Sequence, residues 1–120
     1  DGNADPATFS STSGTFKQPE PNPDASDVNP STNVALYVQD QGVQWDWLAF
    51  WTDAIADASS ILNGRLSFTM DVFTDDAPNG TDIMITLANM PLDCKTYPIG
   101  RHSQYIAFTT TSGKWEKLQF

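Results

Sequence analysis

The run Trp45-Asp46-Trp47-Leu48-Ala49-Phe50-Trp51 gathers three of the chain's four tryptophans into seven residues. In a strand, successive side chains point to opposite faces. Trp45, Trp47 and Trp51 then share one face, and Leu48 and Phe50 share the other, which suits a core. Three indoles are more than one buried layer easily holds, because each N–H needs a partner. Sugar rings present apolar C–H faces that stack on indole, so a tryptophan row suits a glycan chain. Burial of the same indoles between two sheets, or under the long N-terminal segment, fits the pattern equally well.

Other residues offer weaker chemistry. Tyr97-Pro98-Ile99-Gly100-Arg101-His102-Ser103-Gln104-Tyr105 reads as a polar, aromatic loop before a strand. Its Tyr97, Arg101 and His102 are candidate ligand contacts, with donors for sugar hydroxyls or a uronate carboxylate. An ordinary solvated loop is the competing reading. His102 is the single histidine, so a His-rich zinc site is excluded, and Ser103 beside it makes no triad. Asp1, Asn3 and Asp5 space oxygens at alternate positions like the start of a calcium loop, but position 12 is Thr12 rather than Glu. That run is the candidate metal site, and a flexible linker end is its rival. Asp75-Asp76 with Asp82, and Asp53 with Asp57, are paired carboxylates of the kind a glycosidase sets across a cleft. Asp75-Asp76, however, stands beside Pro78-Asn79-Gly80, which reads as a turn. Asn79-Gly80-Thr81 is formally a glycosylation acceptor, and the same turn explains it. No phosphate loop, metalloprotease motif or nucleophile elbow occurs. No catalytic residue is therefore nominated.

The elements that must position these residues are short strands. Alternation places strands at Asn33–Gln39, Trp45–Thr52, Gly64–Phe73, Asp82–Ala88, Gln104–Thr109 and Lys114–Phe120, with a shorter one around Thr15–Lys17. Gln41-Gly42, Asn63-Gly64, Asn79-Gly80 and Ser112-Gly113 separate them as turns. Asp53–Leu62 is the one plausible helical stretch. Residues 1–33 are rich in Pro, Ser, Thr, Asn and Asp, and 1–13 read as a linker or N-terminal arm. The pattern predicts one all-β domain, a sandwich or a barrel.

Composition narrows the function. With 15 acidic against 6 basic residues the net charge is −9, which disfavours nucleic acid and anionic membrane surfaces. Neutral ligands and divalent cations remain compatible. Cys94 is the lone cysteine, so no internal disulfide forms; the thiol reads as a small, partly buried filler, and no local motif supports a catalytic pairing with His102. No apolar run nears the roughly 20 residues that span a bilayer. A start at Asp1 without Met fits a processed or excised product.

Three segments together resemble a known pattern. They are Asn22-Pro23-Asp24-Ala25-Ser26-Asp27-Val28-Asn29-Pro30-Ser31, the Trp45–Trp51 run, and Thr109-Thr110-Thr111 followed by Trp115-Glu116-Lys117-Leu118-Gln119-Phe120. Their order is similar to that of galactose-binding-like carbohydrate-binding modules attached to bacterial polysaccharide-degrading enzymes. The chain departs from those modules at Asp27 and Trp47, where they carry Gly, and they continue one strand past the position of Phe120. That departure leaves a sheet edge open, or the chain runs on, and it puts a calcium site shared with the last strand in doubt. The resemblance implies a jelly-roll β-sandwich of two antiparallel sheets. It implies a secreted, non-catalytic, monomeric module that binds polysaccharide or oligosaccharide for the catalytic domain of the same parent enzyme. It also implies a structural calcium. The alternative is a structural or adhesive extracellular β-domain, a filament or surface-layer subunit, assembling through an open edge strand.

Overall fold

The computed structural model describes residues 9–51, 55–75, 79–88 and 99–120. Among the described residues the strands are β1 (Phe9–Ser11), β2 (Thr15–Pro21), β3 (Asn33–Val38), β4 (Leu48–Phe50), β5 (Thr69–Phe73), β6 (Asp82–Ala88), β7 (Arg101–Phe108) and β8 (Trp115–Gln119). One short helix, α1 (Ser59–Leu62), interrupts them. The strands pair antiparallel as β1–β4, β2–β3, β5–β8 and β6–β7. The fold class is all-β, as the alternation predicts. The chain divides into two compact units, Asp1–Ala58 and Ser59–Phe120.

In the first unit, β2 and β3 pair from Thr15↔Val38 to Pro21↔Asn33, with a register shift between Lys17 and Glu20. The strand expected at Thr15–Lys17 thus runs on to Pro21. Among the described residues β2 pairs only with β3, so Pro21 can turn its missing N–H to the other edge, and Pro19 falls within the register shift. Val34 supplies the buried centre. Phe9 in β1 stacks on Phe16 at 4.4 Å between ring centroids and meets Phe50 of β4 at 5.2 Å. The helical stretch expected at Asp53–Leu62 is limited, among described residues, to α1, which belongs to the second unit.

In the second unit, α1 ends on Gly64, whose φ of 74° is one that other residues rarely adopt. Leu66 N then donates back to Ser60 O at 2.9 Å. This fold-back explains why the strand expected from Gly64 begins only at Thr69. β6 alternates outward Asp82, Met84, Thr86 and Ala88 with inward Ile83, Ile85 and Leu87. β5 and β8 pair from Thr69↔Gln119 to Phe73↔Trp115. Ala107 and Leu118 are buried, and Thr109 is 2 % exposed. Thr109 ties the turn at Asn79-Gly80 to the sheet. Its Oγ1 accepts from Thr81 N at 3.0 Å, its N donates to Thr81 O at 3.0 Å, and its O accepts from Gly80 N at 2.6 Å.

Candidate functional site

The indoles and the backbone that carries them come first. β4 is short because the chain turns just before it. Residues 44–45 form a turn, so Trp45 does not lie on a strand face. Trp47 sits one residue ahead of β4 and continues its pairing with the N-terminal strand. Thr12 N donates to Trp47 O at 3.2 Å, and Trp47 N donates to Thr12 Oγ1 at 3.1 Å. Trp51 follows β4 directly. The expectation of one regular strand from Trp45 to Thr52 is corrected to this shorter strand with a turn at its start. Trp45, Trp47 and Trp51 are 76 %, 45 % and 44 % exposed. Phe50, expected in the core with Leu48, is instead 61 % exposed. Its ring rests against Phe9 at the end of a three-residue pairing too small to cover it.

The turn before β4 is organised by Asp46. Its Oδ1 accepts from Thr12 Oγ1 at 2.6 Å, from Ser13 N at 3.1 Å and from Gly14 N at 3.1 Å. Its Oδ2 accepts from Asp40 N at 2.8 Å. Asp40 extends the knot: it accepts from Ser13 Oγ and from Gly42 N. Partial burial opposes ionisation of Asp46. The bonds from Thr12, Asp40 N, the Tyr37 hydroxyl and Gly14 N outweigh it and hold the carboxyl well below the usual carboxylate range. The Ser13 and Gly42 bonds lower Asp40 in the same sense. Burial, then the Asp46 carboxylate beside it, push the Tyr37 hydroxyl up to about 12. Gly14 is required for space: a Cβ there would lie 2.5 Å from Asp46 Oδ2 and 2.6 Å from both Tyr37 Oη and Val38 O.

The sequence reading missed this knot. It placed Asp46 on a strand face and read residues 1–13 as a linker or N-terminal arm, with no partner named for either. The available signal was the run Ser11-Thr12-Ser13-Gly14, a cluster of small donors of the kind that cradles a carboxylate.

Arg101 is exposed and opens β7 opposite Ala88, and His102 pairs in register with Leu87. Both are strand residues, which corrects their assignment to a loop. β7 gains them because β6 offers partners as far as Ala88. A register shift between Ile85 and Leu87 accommodates the extra residue of β7. Arg101 and His102 belong to the second unit and the three indoles to the first. Tyr97, and the metal candidates Asp1, Asn3 and Asp5, lie outside the described residues. Among the described residues no group of three or more acidic, His or Cys side chains gathers to hold a metal. Asp40 and Asp46 do not fit calcium either, since protein donors already occupy their oxygens.

The motifs that carry the resemblance are structural staples here. Asn22 Oδ1 accepts from Asp24 N at 3.0 Å, and its Nδ2 donates to Asn29 O at 3.1 Å and Ser31 O at 2.7 Å, closing the loop between β2 and β3. Glu116 accepts from Thr110 N at 3.0 Å, Thr110 Oγ1 at 2.7 Å and Thr111 N at 3.3 Å. Burial opposes its ionisation, but these bonds lower its pKa overall. Trp115 packs on Phe73 at 5.6 Å between ring centroids. No helix among the described residues is long and apolar enough to cross a membrane. Comparison with protein-family models, with curated proteins and with solved structures returns no match.

Proposed function

We propose that this domain binds polysaccharide or oligosaccharide without acting on it, through the indoles of Trp45, Trp47 and Trp51. The observation that carries the reading is that these three large side chains are 76 %, 45 % and 44 % exposed, two of them on either side of Asp46, whose bonds pin the turn before β4. An exposed indole ordinarily loses the benefit of burial; one carried on held backbone offers a flat apolar face with less chain entropy left to lose on binding. The scaffold in this proposal is a jelly-roll β-sandwich. The setting is a secreted bacterial module that holds a glycan-degrading enzyme on its substrate. No hydrolytic or lytic turnover is expected. Calcium forms a separate part of the proposal, held by oxygens of Asp1, Asn3 and Asp5. A ligand that binds only the native state raises the melting temperature, so excess chelator should lower it. An unchanged melting curve removes calcium.

The test of the binding reading is retardation of the purified domain in gels that contain soluble polysaccharides, repeated for Trp47→Ala and Trp51→Ala. Retardation that both variants reduce supports the platform. Retardation unaffected by either moves the site to the strand of Arg101 and His102.

A further inference from the structure

We propose that the Trp45–Trp51 platform takes neutral glycans and rejects anionic ones, because the unit that carries it holds nearly all of the molecule's uncompensated negative charge. The proposal rests on the glycan-binding reading and names the substrate class for that site. Asp1–Ala58 contains nine carboxylates and one cation, Lys17, a balance of −8. Ser59–Phe120 contains six carboxylates and five cations, a balance of −1. Two of the nine carboxylates stand at the platform. Asp46 lies between Trp45 and Trp47 in the chain, so its Cα is only about 3.8 Å from each of theirs. Asp40 joins the same knot through Ser13.

The partners of these carboxylates matter as much as their position. Asp46 is bonded by Thr12, Ser13 N, Gly14 N and Asp40 N, and Asp40 by Ser13 and Gly42 N. All of these donors are neutral. They hold the charge in place without cancelling it. The salt bridge Lys117–Asp71 is in the second unit. A uronate carboxylate or sulfate seated on Trp45 or Trp47, the chain neighbours of Asp46, therefore comes within about one Debye length, about 10 Å at 0.1 M salt, of a fixed negative charge. A neutral sugar ring meets the same indole faces with no such penalty. The platform is thus stacking by contact and selective by field.

The experiment uses matched pairs of one backbone with and without charge: hydroxyethylcellulose and carboxymethylcellulose, methyl-esterified and de-esterified homogalacturonan, agarose and carrageenan. Affinity is read by retardation at low and at high salt. For a backbone that binds, the neutral member should bind at least about threefold tighter at low salt. The gap should close as the Debye length shrinks from about 30 Å at 0.01 M to about 3 Å at 1 M. Gln44, exposed in the turn beside Trp45, gives a variant outside the knot. Gln44→Lys should raise affinity for the anionic member at low salt and leave the neutral member unchanged. Tighter binding of the anionic member, weakened by salt, overturns the selectivity while glycan binding stands. Equal binding at every salt concentration, or a Gln44→Lys protein indifferent to charge, overturns it likewise. Binding of no member of any pair overturns the glycan reading itself, and the selectivity with it.

Discussion

Asp46 and Gly14 are one device: a carboxylate needs convergent donors, and the backbone can converge only where no Cβ intervenes. Gly14→Ala would drive a methyl group against Asp46 Oδ2, Tyr37 Oη and the carbonyl of Val38. The first two sit on side chains, but the third is strand backbone and cannot retreat cheaply. Overpacking of this kind typically costs about 1–3 kcal/mol. Gly14→Ala should therefore shift the denaturant midpoint downward, and a midpoint equal to that of the parent protein would show that the knot is looser than described. Trp47 predicts the opposite balance. Its indole is 45 % exposed, so Trp47→Ala forfeits only part of a full burial and should lower the midpoint less than loss of a core side chain does. Glycan affinity should fall by about 1–3 kcal/mol, on the scale known for aromatic stacking on nucleobases. Calorimetry and a binding isotherm on the same variant separate the two. Loss of the fold in Trp47→Ala would mark the indole as core. The tryptophan row was legible in the sequence because residue type alone marks it. The knot beneath it was not, because Thr12 and Asp46 are distant in sequence and each is ordinary by itself.

At the level of elements, β8 sets two kinds of contact side by side. Leu118 is 6 % exposed and lies opposite Met70. Lys117, its neighbour, pairs with Asp71 at 2.6 Å from a largely exposed position. Leu118→Ala leaves a cavity and should cost about 2–5 kcal/mol. Lys117→Ala removes a solvent-screened pair and should cost less than about 1 kcal/mol. Equal effects in chemical denaturation would mean that β8 is not packed as its alternation indicates. Alternation made β6 and β8 readable, since each buries one side and wets the other; β3 was readable as a strand, but of its apolar face only Val34 is buried, while Leu36 and Val38 are exposed. Alternation failed for β4, where parity ordered the side chains into two sets without saying which set would be covered. It failed again at Gly64–Phe68, where the sequence alternates like a strand but the backbone folds back on α1. β1 escaped notice because three residues are too few to show a period, and its partner is distant in the chain.

Across the whole molecule, two electrostatic effects oppose one another as pH changes, and they have different signatures. The first is self-repulsion at a net charge of −9, which weakens as ordinary carboxylates protonate on the way down to the isoelectric point near 4.1. The second is the set of anchoring carboxylates, Asp40 and Asp46 in one unit and Glu116 in the other, all with pKa values lowered by folding. A group whose folded pKa lies below its unfolded value contributes its full stability above the unfolded value. That value is 3.8 for the two aspartates and 4.5 for Glu116, and the contribution drains away as pH falls below it. Tyr37 has the opposite sign. Raised by burial and by Asp46 from 10.0 to about 12, it stabilises the fold fully below pH 10.0 and loses that contribution as pH climbs toward 12. The melting temperature should hold level or rise slightly from pH 7 to 5, fall steeply below about pH 4, and fall again above pH 10. Salt distinguishes the causes. Added salt should lift the melting temperature at pH 7, where diffuse repulsion between exposed charges is screened. It should do little for the acid limb, where protonation removes acceptors from bonds made at contact distance. A steady decline in melting temperature from pH 7 to pH 5, before these carboxylates titrate, would show that the aspartate knot and the Glu116 cap do not govern stability.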